Sequence, residues 1–538
     1  MRMNPGQTMI LGDLSGLQNF LFDVSAEGGG QARRLRARSV TISLLAECAA
    51  RRILDAVGWG RRDVIFSSAG KFLLVGSHLQ QENIEAVKSA AREAANWLLV
   101  ETCGSLRLTV ATCNLPFATT ATSSLDTLNQ HLHRQKLQPW ADCVADSGGW
   151  KTDKMVLPLL SPPCELCRRR PAGKTFNDDG VNRKICHRCY GDMKLGRDLP
   201  SARWLEIFAE PNAETLDLLG FGLRTNAQES FSAESVEVFP TTSQCKISGS
   251  KVVPRPLLRN VPKDKHSQPI EFKELAARSF GVPLLGVLKM DADNMGVAFR
   301  HVLDKNQDLH SLGEFSKRVD NFFATSVNNM LDLPEWNILY VVFSGGDDLL
   351  LVGPWDKAFD FAAQVRHRFN EEFSKDGLTI SAGMAMIKPT IPIRDASEQA
   401  DLLLDRAKTE TALGGKSPKD QFCAFGQVWK WHDHEIIARN AGQLVSWVEE
   451  RIMPRGWLHT FLDLSEAREK ADAGPVTARL AYHIGRNFPQ RNAFGPKGEL
   501  RNWAESLLSD FDDARRPETR FLPAILRYAL TATRSPKG

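Results

Sequence analysis

The segment NILYVVFSGGDDLLLVG, residues 337–353, contains two apolar runs on either side of a glycine-rich turn with two adjacent carboxylates. This pattern predicts a β-hairpin, because glycine adopts the positive φ angles that tight turns require. Asp347 and Asp348 lie at its tip, where like charges repel each other unless a cation lies between them. Acidic loops of this kind usually hold divalent metal ions, and such ions commonly handle phosphate groups.

The elements around the hairpin are predicted from their hydrophobic periodicity. They are a buried strand over 284–288, a helix over 311–332, the hairpin, a helix over 355–373, a strand over 378–387 and a helix from Asp395. This β-α-β-β-α-β order is that of a ferredoxin-like or palm domain. Asp291 follows the first strand, which neighbours the hairpin in such a sheet, so it is predicted to lie beside Asp347 and Asp348. The three carboxylates would hold two metal ions; the alternative is a solvated acidic turn.

The first 120 residues repeat the same order of elements. When IFSSAGKFLLV is aligned with VFSGGDDLLLV, Gly70 and Lys71 stand at the positions of the two hairpin carboxylates. Asp13 precedes Gly70 by 57 positions (70 − 13), and Asp291 precedes Asp347 by 56 positions (347 − 291). The agreement in order and spacing predicts an internal duplication.

The two copies differ in their chemistry. The first copy lacks the paired carboxylates, so it cannot hold the metal pair, but Ser67, Ser68, Lys71 and backbone N–H groups could still hold a nucleotide. A reaction that joins two nucleotides needs one site for each. The duplication therefore predicts one catalytic palm and one palm that mainly binds; the alternative is that the first copy is a structural relic.

Four cysteines form two CxxC pairs, Cys164 with Cys167 and Cys186 with Cys189, and 18 residues separate the pairs. This spacing is typical of a tetrahedral zinc knuckle, and four thiolates leave the metal no open position, so a structural zinc is predicted.

Basic residues around the knuckle could touch RNA or a protein partner, or be a solvated surface. The basic run RRLRARS, residues 33–39, has two similar interpretations: a solvated helix face, or a contact with phosphates or RNA.

Length and composition place further limits. A chain of 538 residues has room for three or four domains, and a net charge of +4 argues against a histone-like or polyacidic protein. Neither a membrane-length apolar run nor a signal region is found, which predicts a cytoplasmic protein without a membrane partner. The predicted class is α+β, with a first palm over 1–150, a zinc-binding insert over 151–200, a connector over 201–282, a second palm over 283–430 and a C-terminal helical bundle over 431–538.

Several of these segments resemble the large, polymerase-like subunit of type III CRISPR effector complexes, the III-A-like members most of all. The matching segments are GDLSGLQNFLF, LRARS, the two CxxC pairs, FKELAARSFGVPLLGVLKMDADNMG, SGGDD and SAGMAMIKP. The resemblance implies that ATP binds in both palms and that cyclic oligoadenylates are made when the guide RNA pairs with a target RNA. It also implies partners: the backbone, small and crRNA 5′-handle-binding subunits of the complex, together with crRNA and target RNA.

The resemblance also assigns roles to residues. Asp291, Asp347 and Asp348 would hold Mg²⁺ or Mn²⁺ and activate a 3′-hydroxyl for attack on the α-phosphate of a second ATP, with release of pyrophosphate. The residues expected at the nucleotide in this palm are Ser344, Gly345, Gly346, Asp293, Asn294 and Lys408. A solvated helix lysine is the alternative for Lys408.

Three further expectations concern activity. Many family members begin with a histidine–aspartate nuclease domain, whereas the first palm strand begins here near residue 8, so no DNase activity is expected from this chain. The dipeptide His432–Asp433 is interpreted as incidental. Two alternatives to adenylate synthesis stay open: a diguanylate-cyclase-like enzyme, although the turn continues DDLLL instead of the Glu-Phe of that family, and a non-catalytic scaffold subunit.

Overall fold

A computed structural model describes most of the chain. The described residues are 6–23, 30–68, 70–114, 121–141, 144, 149, 162–178, 180–228, 230–241, 249–253, 257, 261–306, 308–468, 475–490 and 494–534. The chain divides into two compact units. Unit 1 comprises Met1–Glu271, Asn294–Leu349 and Pro392–Arg394, and unit 2 comprises Phe272–Asp293, Leu350–Ile391 and Asp395–Gly538.

The strands are numbered in chain order. They are β1 (Gln7–Ser15), β2 (Val64–Ser68), β3 (Lys71–Ser77), β4 (Arg107–Asn114), β5 (Lys174–Asp178), β6 (Val181–Ile185), β7 (Trp204–Phe208), β8 (Leu216–Leu218), β9 (Phe221–Asn226), β10 (Glu237–Pro240), β11 (Leu285–Ala292), β12 (Tyr340–Gly345), β13 (Asp348–Pro354), β14 (Ile380–Ile387), β15 (Gln421–Ala424) and β16 (Gln427–Lys430).

The α-helices are numbered in the same way. They are α1 (Leu17–Phe22), α2 (Gln31–Ala56), α3 (Gln81–Glu101), α4 (Ala121–Lys136), α5 (His187–Asp198), α6 (Phe272–Ala277), α7 (Met295–Asn306), α8 (Leu309–Asn321), α9 (Val327–Leu331), α10 (Trp355–Phe373), α11 (Ile393–Thr409), α12 (Trp431–Glu449), α13 (Arg455–Arg468), α14 (Val476–Asn487), α15 (Pro496–Ser509), α16 (Pro517–Arg520) and α17 (Leu522–Ala532). A π-helix, Phe322–Ser326, joins α8 to α9, and short 3₁₀ turns lie at Arg61–Asp63, Leu199–Ser201 and Ser374–Asp376.

The first sheet of unit 1 has the strand order β2-β3-β1-β4, with β1 antiparallel to both neighbours. Its main elements follow one another as β1-α2-β2-β3-α3-β4, the order predicted from the sequence. The interior of β1 is buried throughout and contains two polar residues, Thr8 and Asp13, among its apolar ones. Met9 and Leu73 of this sheet pack with Leu128 of α4, Leu303 of α7 and Leu312 of α8.

Residues 34–39 of the basic run at the start of α2 are buried and Arg33 is half-buried, so the interpretation as a solvated helix face was wrong. Arg34, Arg36 and Arg38 lie against the cysteine-containing insert, where their guanidinium groups donate to backbone and carboxylate oxygens. Arg38 Nε donates to Asp192 of α5 at 3.0 Å. A side chain at Gly196 would collide with the backbone of α2, so this glycine permits the close helix approach.

Residues 204–240 form a sheet of their own, with the order β10-β7-β9-β8 and antiparallel pairing. Every residue of β7 is buried, and a Glu206–Arg224 ion pair links β7 to β9 at 3.2 Å. The region predicted as a connector therefore contains an ordered sheet.

Unit 2 contains a sheet in which β13, β11, β14, β15 and β16 are successive neighbours. β11 pairs antiparallel with β14, and β15 pairs parallel with β14. The helices α12 to α17 follow this sheet and confirm the predicted C-terminal helices. The α+β class is confirmed as well. Within the part of the chain that the structure describes, no helix combines the length and apolar character that a membrane crossing needs.

Candidate functional site

The turn of the first palm is built around the buried carboxylate of Asp13. Asp13 and Lys71 are directly paired across β1 and β3, and their charged groups lie 3.8 Å apart. Lys136, the last residue of α4, approaches Asp13 more closely, at 2.8 Å. Ser15 Oγ also donates a hydrogen bond to Asp13, at 3.0 Å. One carboxylate here is matched by two lysines, so the group carries a net positive charge.

The corresponding carboxylate of unit 2 is Asp291, near the end of β11. Lys408, one residue before the end of α11, forms an ion pair with it. The Asp–Lys pair therefore recurs in both palms, with a separation of 123 positions in the first (136 − 13) and 117 in the second (408 − 291). The sequence analysis missed Lys136, although a lysine at the end of the last helix in each copy was a signal that could have identified it.

Asp293 is almost completely buried and serves the loop after β11. Its carboxylate accepts hydrogen bonds from Thr379 Oγ1 at 2.8 Å, from Ser381 Oγ at 2.9 Å and from the backbone N–H of Asp420 at 3.0 Å. A buried carboxylate satisfied by several donors fixes the backbone around it. Asn294 follows with a left-handed φ of +60°, and its carbonyl accepts the first backbone N–H groups of α7.

Two hydrogen bonds attach the SGGDD turn to the helical segment that precedes it in unit 1. Ser344 is buried, and its Oγ donates to the carbonyl of Phe323 in the π-helix at 2.5 Å. Gly346 has a φ of +66°, and its N–H donates to Asp320 Oδ1 at 2.8 Å. Asp347 and Asp348 follow as half-buried residues.

The turn of the first palm reaches the same aspartate. Ser68 Oγ donates to Asp320 Oδ1 at 2.6 Å. Gly70 adopts a φ of +81°, and its carbonyl accepts the N–H of Leu14 at 2.8 Å, which ties the turn to β1. The structure thus brings Ser68 and Gly346 to one carboxylate, Asp320, which the sequence analysis did not single out.

The four clustered cysteines form a metal-ligand group. Their sulfur atoms lie within 4.8 Å of one another, and they are the only such group of ligands in the described part of the chain. Hydrogen bonds among the thiols lower the pKa of Cys164 and raise the pKa of Cys186 and Cys189, so the four sulfur atoms share negative charge unequally. Cys186 also accepts a hydrogen bond from the backbone of Cys189 at the start of α5. Four thiolates so arranged fit a tetrahedral zinc ion.

The three carboxylates predicted to bind catalytic metal are divided between the units: Asp291 belongs to unit 2, and Asp347 and Asp348 belong to unit 1. Asp291 is paired with Lys408, and Asp347 and Asp348 have interactions of their own. As a donor set, three carboxylates suit Mg²⁺ or Mn²⁺, which prefer hard oxygen ligands.

The histidines at the start of α12 have different surroundings. His432 is exposed and lies 3.5 Å from Asp433. His434 is buried, stacks on Phe359 with a ring separation of 4.4 Å, and accepts a hydrogen bond from Trp429 Nε1 at 3.3 Å. Burial lowers the pKa of His434 from 6.5 to about 4, so this imidazole is neutral at pH 7. It is a core residue.

Comparisons with known proteins find separate matches for the two palms. A family model described as "Cas10/Cmr2, second palm domain" matches residues 284–417, and one described as "Csm1 subunit domain B" matches residues 7–147. The CRISPR system single-strand-specific deoxyribonuclease Cas10/Csm1 (subtype III-A) of Mycobacterium tuberculosis is 26% identical over 93% of this chain and 64% of its own length. The protein of the same description from Thermococcus onnurineus is 26% identical over 93% of this chain and 69% of its own length.

Solved structures give the same fold. A Csm1-Csm4 cassette in complex with one ATP matches with a TM-score of 0.74 and 20% identity, over 99% of this chain and 71% of that chain. Cassettes in complex with cA4 and with pppApA each match with a TM-score of 0.72 and 20% identity, over 99% of this chain and 71% and 70% of theirs.

The fold and these matches define a large, palm-containing protein of the kind found in type III CRISPR systems. The chain belongs to the Cas10/Csm1 family and is similar to members of subtype III-A. The resemblance inferred from the sequence is thereby confirmed. The chain spans about two thirds of the length of the curated relatives that it matches.

Proposed function

We propose that the chain synthesises cyclic oligoadenylates from ATP as the large subunit of a type III-A-like effector complex, when target RNA is bound. The observation that carries the proposal is the opposite charge of two matched turns. Around Asp13, one carboxylate lies beside two lysines, so the net charge of the group is +1 (2 − 1). At the matching positions of the second palm, the sequence has three aspartates, Asp291, Asp347 and Asp348, and one lysine, Lys408 (1 − 3 = −2). The first turn suits a phosphate and the second suits divalent cations.

In the second palm, Asp291, Asp347 and Asp348 would hold Mg²⁺ or Mn²⁺, which would polarise the α-phosphate and lower the pKa of the attacking 3′-hydroxyl. Gly345 and Gly346 have no side chains, so their backbone can approach the nucleotide closely. The remaining residues assigned to nucleotide binding here are Ser344, Asp293, Asn294 and Lys408.

Three of these residues have clear structural tasks. Asp293 fixes the loop after β11 through its hydrogen bonds, and Ser344 anchors the turn to the π-helix. Lys408 neutralises Asp291 in the protein as described, and it would turn to a phosphate when a metal takes that carboxylate. In the first palm, Ser67, Ser68, Gly70 and Lys71 would bind the second ATP without metal carboxylates.

Zinc and partners complete the proposal. A Zn²⁺ ion on Cys164, Cys167, Cys186 and Cys189 would be structural, because no coordination position is left for a substrate. The similar structures are Csm1-Csm4 cassettes, and one is described as part of the type III-A CRISPR-Csm interference complex. We therefore propose a Csm4-like subunit as one partner, with backbone and small subunits, crRNA and target RNA as the others, in the cytoplasm.

The test uses the chain assembled with its partner subunits, guide RNA and complementary target RNA. Radiolabelled ATP is added with Mg²⁺ or Mn²⁺, and products are resolved by mass. Cyclic adenylates are expected from the wild-type complex and should be lost, by at least about a thousandfold, in Asp347→Ala with Asp348→Ala. A matched control replaces the exposed adjacent pair Asp512 and Asp513 by alanine and should keep full activity.

The alternatives give different results in the same assay. A scaffold subunit would bind target RNA and form no product, and the Lys408–Asp291 ion pair supplies the observation that favours it, since a lysine can neutralise this carboxylate without metal. A diguanylate-cyclase-like enzyme would form its product from GTP and not from ATP. Either result would exclude adenylate synthesis.

A further inference from the structure

We infer that Asp320 is a positioning residue that fixes the turns of the two palms to each other. The inference rests on the proposed function for its catalytic consequence, but its structural part stands by itself. One oxygen, Oδ1, accepts both the hydroxyl of Ser68 at 2.6 Å and the N–H of Gly346 at 2.8 Å. Ser68 is the last residue of β2, and Gly346 directly precedes the two carboxylates of SGGDD.

The place of Asp320 on its helix shows that the carboxylate has a specific task. The buried side of α8 includes Leu312, Phe315 and Val319, and Asp320 lies within this buried set with 7% of its surface exposed. A buried carboxylate is costly unless hydrogen bonds satisfy it. The two turns supply such hydrogen bonds.

The helix itself changes geometry at this point. The π-helix Phe322–Ser326 begins two residues after Asp320, and its Phe323 carbonyl accepts the hydroxyl of Ser344. Wide turns of this kind are found frequently at functional sites. The SGGDD turn is therefore attached twice to one short stretch of helix, through Gly346 to Asp320 and through Ser344 to Phe323.

The functional consequence follows from the need for two nucleotides in one reaction. A shift of about 1 Å between reacting groups can reduce a rate by about a hundredfold. A single carboxylate bound to both turns limits such a shift. Asp320 thus acts through the turns and need not touch ATP, which distinguishes it from Asp347 and Asp348.

The test compares Asp320→Ala, Asp320→Asn and Ser68→Ala in the assembled complex, with formation of the linear dimer pppApA as the measured step. Asp320→Ala should lower kcat by at least about tenfold and change the KM for ATP by less than about threefold. Asp320→Asn keeps an oxygen that can accept both hydrogen bonds, so it should retain most of kcat. A loss in Asp320→Asn equal to that in Asp320→Ala would overturn the hydrogen-bonding role.

A double-mutant comparison tests the connection between the turns. Ser68→Ala should reduce kcat in the wild-type background and have no further effect on kcat in Asp320→Ala, because their shared contact is already lost, whereas a contact of Ser68 with ATP should raise KM equally in both backgrounds. Additive effects would contradict the inference. Glu314→Gln, the same acid-to-amide change at an exposed position of α8, should leave kcat at the wild-type value.

Hydrogen exchange provides a readout that does not depend on activity. In the full chain, Asp320→Ala should increase amide exchange both around Ser68 and around Gly346, whereas Glu314→Gln should change neither. Faster exchange in only one segment, or in none, would overturn the inference even if adenylates are made. If the wild-type complex makes no adenylates, the proposed function fails, and the exchange result still decides whether Asp320 joins the two turns.

Discussion

At the scale of single residues, the buried imidazole of His434 gives the protein a defined response to pH. Its pKa is lowered by burial from 6.5 to about 4, so the unfolded chain takes up a proton over this range and the folded chain does not. The neutral imidazole therefore leaves the free energy of unfolding undiminished above about pH 6.5. As the pH falls toward 4, protonation of the unfolded chain lowers this free energy by up to about 3 kcal/mol.

We expect His434→Gln to remove this part of the pH dependence of unfolding in unit 2, whatever its effect on stability at pH 7. The matched control is His432→Gln, two residues earlier, where the side chain is 78% exposed. Denaturant unfolding of the full chain between pH 7 and pH 4 measures the slope. An unchanged slope in His434→Gln, together with a reduced one in His432→Gln, would reverse the assignment.

Residue types in a pattern were sufficient to propose Asp291, Asp347 and Asp348 as metal ligands, because turn glycines and clustered acids are visible in a linear sequence. They were insufficient for Asp320 and Lys136. Asp320 lies on the buried face of its helix, and its role depends on hydrogen bonds from two turns that lie 252 and 26 positions away. Contacts at such separations follow from the tertiary fold and not from local pattern.

At the scale of elements, the cysteine knuckle (Cys164, Cys167, Cys186 and Cys189) and helix α2 pack together. Arg34, Arg36 and Arg38 of α2 each donate to an acceptor in the insert, and Asp192 of α5 is fully buried between Arg38 and Arg188. Sequence periodicity classifies arginine as a polar, surface residue, which explains why the interpretation of the basic run as a solvated face was wrong. Only the tertiary partners show that these arginines are interior.

Replacing one ligand should release the metal. We expect Cys186→Ser to reduce bound zinc from about one equivalent per chain to near zero, because three thiolates and a hydroxyl bind Zn²⁺ far more weakly. Elemental analysis of the purified chain measures this content. Cys113→Ser, a half-buried cysteine outside the cluster, is the control and should keep its zinc. Zinc retained by Cys186→Ser would show that this thiol is not a ligand.

At the scale of the whole molecule, the duplicated palms predict two nucleotide sites of unequal chemistry. Lys71 is 60% exposed and shares Asp13 with Lys136, so its ammonium group is available to a phosphate. We expect calorimetric titration of the full chain with ATP and Mg²⁺ to show two sites. Lys71→Ala should weaken one of them by about tenfold, the loss expected for one charge-assisted hydrogen bond.

Lys88→Ala removes an equally exposed lysine of the same palm and should bind ATP as the wild type does. The second site should depend on Asp347 and Asp348, and should survive Lys71→Ala. A single site in the wild type, or a Lys71→Ala variant with unchanged affinity at both sites, would favour the structural-relic interpretation of the first palm.

The order of the secondary elements in each palm was foreseeable from the sequence because the hydrophobic period differs between strands and helices. The sheet over 204–240 was harder to foresee, since its strands are short and its register depends on pairs such as Glu206 and Arg224.

The interior arginines of α2 affect when the amino-terminal domain can fold during synthesis. Arg38 is translated 154 residues before Asp192, and Arg36 is translated 160 residues before Gly196, which supplies its carbonyl acceptor. At about 5–20 residues per second, roughly 8–30 s pass before these acceptors leave the ribosome. During that interval the first palm carries a basic, incompletely packed helix. The amino-terminal domain therefore cannot finish folding while it is being made, and it becomes complete only after the cysteine knuckle has emerged.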